Sequence, residues 1–215
     1  MDLHTLNVWT HVSAGVLALT AGLVPLLTPK GGRLHRRVGR VFVVIGAFVL
    51  GSAVIADIFF NPPPPLIAAT LAALYQYVSS LRALSLRNRG PGLLDAVLAL
   101  ACLGGCAALY IFMGPGTVTW SPAIGYSTIG YVGIVALYDL SRHLWSTAWL
   151  ARARPLDHGL KMTGAYFAMA SAGFGNLFRD WQPWSQVGPS MLGLVVMLAL
   201  AVAWLTRKRA PAMAI

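Results

Sequence analysis

Glutamate is absent from this 215-residue chain, and aspartate occurs only six times. All charged residues together make up 10% of it, against about 25% in a soluble domain. The polar surface that a water-facing globule needs is therefore missing. No polar, low-complexity or repetitive tract divides the chain, so it reads as one domain. Cysteine is scarce as well. Cys102 and Cys106 stand i, i+4 inside an apolar run and read as two small hydrophobes on one helix face. Neighbouring turns of one helix hold sulfurs poorly for bridging, so the pair leaves the redox compartment undefined. HxxxH, HExxH and GxSxG are also missing, which removes the local signatures of zinc and serine hydrolases. The first apolar run follows Asp2 and His4 rather than a basic segment, and so reads as a retained helix and not a cleaved signal.

What the chain has is apolar length. Hydrophobic residues make up 57% of it, and a membrane-spanning helix needs about 20 largely apolar residues. Seven runs qualify: Val8–Leu27, Val41–Phe60, Leu66–Leu84, Leu93–Met113, Ala123–Leu140, Leu160–Phe178 and Val187–Leu205. Proline and glycine punctuate them, as at Pro29 with Gly31 and Gly32, Pro62 to Pro65, Gly90–Pro91–Gly92 and Gly114–Pro115–Gly116. The third run is the least apolar because of Gln76, Ser79 and Ser80. The fold class expected is an all-α integral membrane bundle of about seven helices, spanning residues 1–215 as a single domain.

The net charge is +10, but the cations lie in short clusters between apolar runs and not on one polar face, which excludes nucleic acid as a partner. Fifteen of the sixteen Lys and Arg residues fall in alternate connections, and only Arg179 falls on the other side. The positive-inside rule then places the N-terminus outside and the C-terminus in the cytoplasm. Within the richest cluster, KGGRLHRRVGR from Lys30 to Arg40, the side chains of Arg33, Arg36, Arg37 and Arg40 suit anionic lipid headgroups. Trp120, Trp181 and Trp184 on the outer side, and Trp145 and Trp149 near the inner edge, suit an aromatic belt. Ser141–Ala153 is expected to continue helix 5 as an amphipathic turn or two. Small residues at helical spacing, Gly15, Ala18 and Gly22, then Gly164, Ala168 and Ala172, mark faces for close helix packing.

Ionisable groups inside spans normally face other helices and have partners. An outer set comprises His11, Asp57 and Asn176. Counted from the run boundaries, His11 and Asp57 reach about the same depth on antiparallel helices, so a His11–Asp57 pair is expected, either as a helix clamp or as part of a proton or cation pathway. Asn176 lies five helical turns after His158, on one stripe with Met162, Ala165 and Met169. An inner set comprises His35, Asp139, His143 and His158, with Asp95 nearby, and Asp139 and His143 stand i, i+4. Three imidazoles and a carboxylate suit zinc, two imidazoles on facing helices suit the axial positions of a b-type haem, and histidines beside arginines also suit lipid phosphates.

Four functions stay open on these residues. The foremost is haem-based electron transfer through His35, His143 and His158, with a redox partner. A carrier of small solutes or protons would use His11, Asp57 and Asn176. A membrane-embedded zinc hydrolase would use His35, Asp139, His143 and His158. A non-catalytic assembly role, as a homo-oligomer, completes the set.

Three short elements carry a resemblance. The first is His11 with Gly15. The second is Gly32, His35, Arg36, Gly39 and Arg40. The third is His158, Met162, Gly164 and Tyr166, followed by Asn176. In these the chain resembles a family of bacterial polytopic membrane proteins grouped as DUF2306. The resemblance implies a multi-pass protein of the bacterial inner membrane with no established reaction. It singles out His11, His35, His158 and Asn176, while Asp57 and His143 have no motif behind them.

Overall fold

The computed structural model describes residues 2–86, 89–113, 121–147, 149 and 153–206. Arg87, Arg152, Trp120, the Gly114–Pro115–Gly116 break and the tail cations Arg207, Lys208 and Arg209 lie outside them. Among the described residues, seven long α-helices follow one another: α1 (Leu3–Leu27), α2 (Arg33–Phe59), α3 (Pro64–Ser85), α4 (Leu93–Phe112), α5 (Pro122–Ser141), α6 (Arg154–Leu177) and α7 (Trp184–Leu205), with a 3₁₀ turn at Arg179–Trp181 before the last. No strand occurs among the described residues.

Helix starts differ from the apolar boundaries, and local chemistry explains why. α1 begins at Leu3, because the Asp2 carboxylate accepts the Thr5 N–H at 2.7 Å and caps the free end. That donation holds the Asp2 carboxyl below its ordinary range. α1 stops at Leu27 because Pro29 has no N–H to give the Pro25 carbonyl. Gly31 turns the chain with φ at 77°, in the left-handed region that suits glycine. α2 then starts at Arg33, so Arg33, His35, Arg36, Arg37 and Arg40 occupy its first turns and are not loop residues. At this same end of the bundle, α5 stops at Ser141 and the chain turns at once. Residues 142–144 form turns, so helix 5 does not continue unbroken past Ser141, and part of the expected extension over Ser141–Ala153 lies outside the described residues.

Five helices, α1, α2, α4, α5 and α7, are long and apolar enough to cross a membrane. α3 and α6 fall short, and they are the two at the centre. α3 packs against α2, α4, α5 and α6, while α6 packs against α1, α3 and α7. The polarity of α3 thus points inward: Gln76, Ser79 and Ser80 are all buried. The outer surface is the reverse, with Val44, Leu93, Ile111, Ile134 and Leu198 each more than 60% exposed. So much exposed aliphatic surface is incompatible with water and natural in lipid, where the only cost falls on unsatisfied polar groups.

Close approach of α6 to its neighbours depends on glycines, Gly164 facing α3 and α5 and Gly22 facing α6 from α1 among them. A Cβ on Gly164 would collide with Gln76 Oε1 of α3 and come within 2.9 Å of the Tyr131 hydroxyl of α5. A Cβ on Gly22 of α1 would sit 2.7 Å from the Tyr166 ring, whose hydroxyl donates to the Leu19 carbonyl at 3.0 Å. By contrast, Gly15 has nothing near it. The small-residue faces read from sequence are therefore real contacts at Ala18 and Gly22, both buried, and at Gly164.

Candidate functional site: a buried ion cluster between helices 3, 5 and 6

Asp139 and Arg142 close α5, and Asp157 and Lys161 open α6. All four side chains are 3% exposed or less. Their placement follows helix electrostatics. A carboxylate in the first turn of α6 meets the positive end of that helix, and a guanidinium at the last turn of α5 meets a negative end. Asp157 and Lys161 are i, i+4, and Asp139 and Arg142 are i, i+3, so each helix supplies one acid and one base on a single face.

Where the end of α5 meets the start of α6, these pairs join into a neutral tetrad. Asp139 Oδ1 takes the Lys161 ammonium and Arg142 Nη2, the latter at 3.0 Å. Asp139 Oδ2 accepts the Tyr75 hydroxyl of α3 at 2.6 Å. Arg142 Nη1 reaches Asp157 Oδ2 at 2.9 Å, and Lys161 reaches Asp157 Oδ1 at 2.9 Å. Every carboxylate oxygen thus has a donor. The guanidinium also lies 4.7 Å from the centroid of the Trp149 ring, which is fully buried. Four charges at this depth are tolerated only because the set is closed and neutral.

Polar contacts continue from the tetrad. Gln76, next to Tyr75 on α3, accepts the Tyr131 hydroxyl at 2.8 Å. Farther toward the end of α3, Ser80 gives its hydrogen to the His158 carbonyl at 3.0 Å. The His158 Nδ1 therefore donates to Ser80 Oγ, 2.8 Å away. A separate pair, Arg82 with Asp95 at 2.9 Å, ties the end of α3 to the start of α4.

The histidines and acids singled out from sequence have other neighbours than expected. His11 donates to Ser52 Oγ at 2.8 Å, since that serine gives its own hydrogen to the Val49 carbonyl. It is not paired with Asp57, which lies half-buried beside Thr70. Counting from the true helix ends explains the register. His11 is about 12 Å into α1, Ser52 about 10.5 Å from the end of α2, and Asp57 only about 3 Å from it. Asn176 does not face inward either: it is exposed in the last turn of α6 and donates to the Ala172 carbonyl of its own helix at 3.1 Å.

At the other end, Asp139 and His143 do not share a helix face, because α5 ends between them; His143 is exposed. His35 donates Nδ1–H to the Pro25 carbonyl at 3.1 Å. Lys30 Nζ reaches the same oxygen at 2.9 Å and Leu26 O at 2.7 Å. Both fill acceptors that the end of α1 leaves open. Burial holds the Lys30 ammonium below its ordinary range. His35 and His158 lie near enough to interact electrostatically. Arg33, Arg36, Arg37 and Arg40 are all exposed. No group of three or more His, Cys, Asp or Glu side chains that could hold a metal occurs among the described residues.

Trp149 departs most from the sequence reading: it is core and not an interface anchor. Trp181 and Trp184 are exposed, at 74% and 73%. The positive-inside count takes Arg142 and Lys161 as cytoplasmic cations, which hides their role. The signals that reveal them are the DxxR spacing at 139–142 and the DxxxK spacing at 157–161, each beside an apolar run in a chain with so few acids. Comparison of the chain with family models, with curated proteins and with solved structures finds no match.

Proposed function

We propose that this is a seven-span protein of the bacterial inner membrane, with its N-terminus outside, that couples proton movement to transport of a small solute. Support for seven spans comes from packing: α3 and α6 are enclosed by helices apolar enough for lipid, and their own polar groups face each other. Support for the orientation comes from the exposed arginines at the start of α2, at the end where α1 stops and α6 begins. The DUF2306 resemblance agrees with this placement, and its Gly164 is the position where α6 meets Gln76 and Tyr131.

The observation that carries the transport reading is the tetrad itself. Acids and bases buried between the helices of a membrane bundle are the usual components of ion pathways, and a buried ion pair is by itself weak evidence for a stability role. Protonation of Asp157 or Asp139 would free a cation to re-pair, which shifts the α5–α6 junction between two arrangements. The test is charge displacement on a solid-supported membrane after an acid jump across protein-containing liposomes. Wild-type protein should give a transient current, and Asp157→Asn, checked for monodispersity, should fall to the level of protein-free liposomes. A wild-type current no larger than that of empty liposomes removes the reading.

A b-type haem held by His35 and His158 is the second reading, and one observation favours it. Both rings donate Nδ1–H to the protein, which orients a ring for ligation through the opposite nitrogen, Nε2. Protein expressed with added haem should then show a Soret band that His35→Ala or His158→Ala abolishes. Its absence from wild type refutes haem binding. His143, being exposed at the end of α5, is not part of that ligand set.

A further inference from the structure

A cavity of about 270 Å³ lies between α5 and α7, over a floor of small residues from α3 and α6. Gly164, Ala168 and Ala172 leave the floor low, and Ala69 and Ala72 continue it. At one end, the Tyr131 hydroxyl, 3.7 Å from the Met197 sulfur, closes the space. Along its length it meets Met191 and Leu194, which are exposed on the outer surface of α7, so the cavity opens sideways toward lipid and not toward water.

One lining residue has no explanation within the fold. Gln186 is 2% exposed, and neither its amide oxygen nor its amide nitrogen has a hydrogen-bond partner. Its side chain lies against Gly175, where a Cβ would come within 2.5 Å of Gln186 Cγ. A buried amide with both ends unpaired is costly in an apolar setting, and leucine would fill much the same space without that cost. Nearby hydroxyls supply further polar contacts: Ser171 and Ser190 pair at 2.8 Å, and Ser127 and Thr128 face the same space. No Asp, Lys, Arg or His is among the described lining residues, which suits an uncharged occupant.

We infer that this cavity binds an uncharged amphiphile from the bilayer, whose neighbouring hydroxyl and carbonyl or ether oxygens pair with the two ends of the Gln186 amide. The volume is many times what a single water needs. That suits a polar head and its first carbons, with the rest of the molecule lying out between α5 and α7. A diacylglycerol and a reduced quinol both carry this chemistry. The inference is independent of whether the tetrad moves protons.

The experiment uses the full chain in detergent, with thermal unfolding read against added dioctanoylglycerol in one arm and decylubiquinol, kept anaerobic, in the other. Wild type should melt at a higher temperature as one of the two is added, since a ligand of the folded state alone stabilises by mass action. The arm that responds names the source. Gln186→Leu should lose that dependence and yet melt higher than wild type without ligand. Ala168→Phe, which fills the floor but keeps the amide, should also lose it. The inference is overturned if neither probe shifts wild type, or if Gln186→Leu and wild type shift alike. It is equally overturned if Gln186→Leu melts lower than wild type or fails to fold, because the amide then serves the fold and not a ligand.

Discussion

Lys161→Met is expected to destabilise the protein by about 3–5 kcal/mol, the usual cost of removing one partner from a buried ion pair. Asp139 and Asp157 would then share the single guanidinium of Arg142, with a net negative charge enclosed among α3, α5 and α6. Methionine keeps the length and apolar stem of lysine, so the loss isolates charge from volume. Lys161→Met combined with Asp157→Asn restores neutrality around Asp139 and Arg142 and should recover a large part of the loss. Arg82→Met is the control: Arg82 is 29% exposed, and its partner Asp95 keeps the Gly92 N–H at 2.9 Å. Partly solvated pairs of that kind contribute about 1 kcal/mol or less. Denaturant titration in detergent micelles measures all three. A Lys161→Met loss no larger than that of Arg82→Met sinks the view that the tetrad is desolvated. A double variant weaker than the single shows that charge balance is not what holds it.

The same electrostatics separate what could be read from sequence from what could not. Helix number was legible because apolar runs of spanning length announce themselves without tertiary context. Even α3, with Gln76, Ser79 and Ser80 inside it, was legible once Pro63 to Pro65 and the apolar residues around Gln76 were seen together. Helix starts were not, since α1 and α2 begin in polar sequence where a cap at Asp2 and a turn at Gly31 decide the matter. That error of five residues at Val8 carried over into depth, and it placed His11 against Asp57 when Ser52 is its partner. The ion cluster was hidden for a different reason. Positive-inside counting treats every Lys and Arg near a helix end as solvated, whereas Arg142 and Lys161 turn inward to meet two of the six aspartates. Which cation turns inward depends on how α5 and α6 are both set against α3, and Gly164, where α6 meets Gln76 and the Tyr131 hydroxyl, is part of that setting, a long-range fact. His35 shows the converse. A histidine in a basic motif invites a ligand role, yet its ring first serves the carbonyl that Pro29 leaves without a helical donor.

Trp149→Ala is expected to cost about 3–5 kcal/mol, as large aromatic deletions from a packed interior do. The ring is fully buried and packs with Ala83 and Leu86 of the α3 end and with Tyr138 of α5. It also covers the face of the Arg142 guanidinium at 4.7 Å, a contact that contributes about 2 kcal/mol when desolvated. Removing it therefore does two things. It opens a cavity beside the tetrad, and it admits water to a guanidinium whose pairing with Asp139 and Asp157 depends on a dry site. Trp149→Phe should cost distinctly less, because a smaller ring still fills most of the space and still faces the cation. Trp181→Ala and Trp184→Ala, on exposed rings, should each change stability by no more than about 0.5 kcal/mol. The four variants, unfolded side by side in the same detergent, separate a core tryptophan from interface tryptophans. If Trp149→Ala behaves like Trp184→Ala, then Trp149 belongs with the lipid headgroups after all, and Arg142 is held by its carboxylates alone.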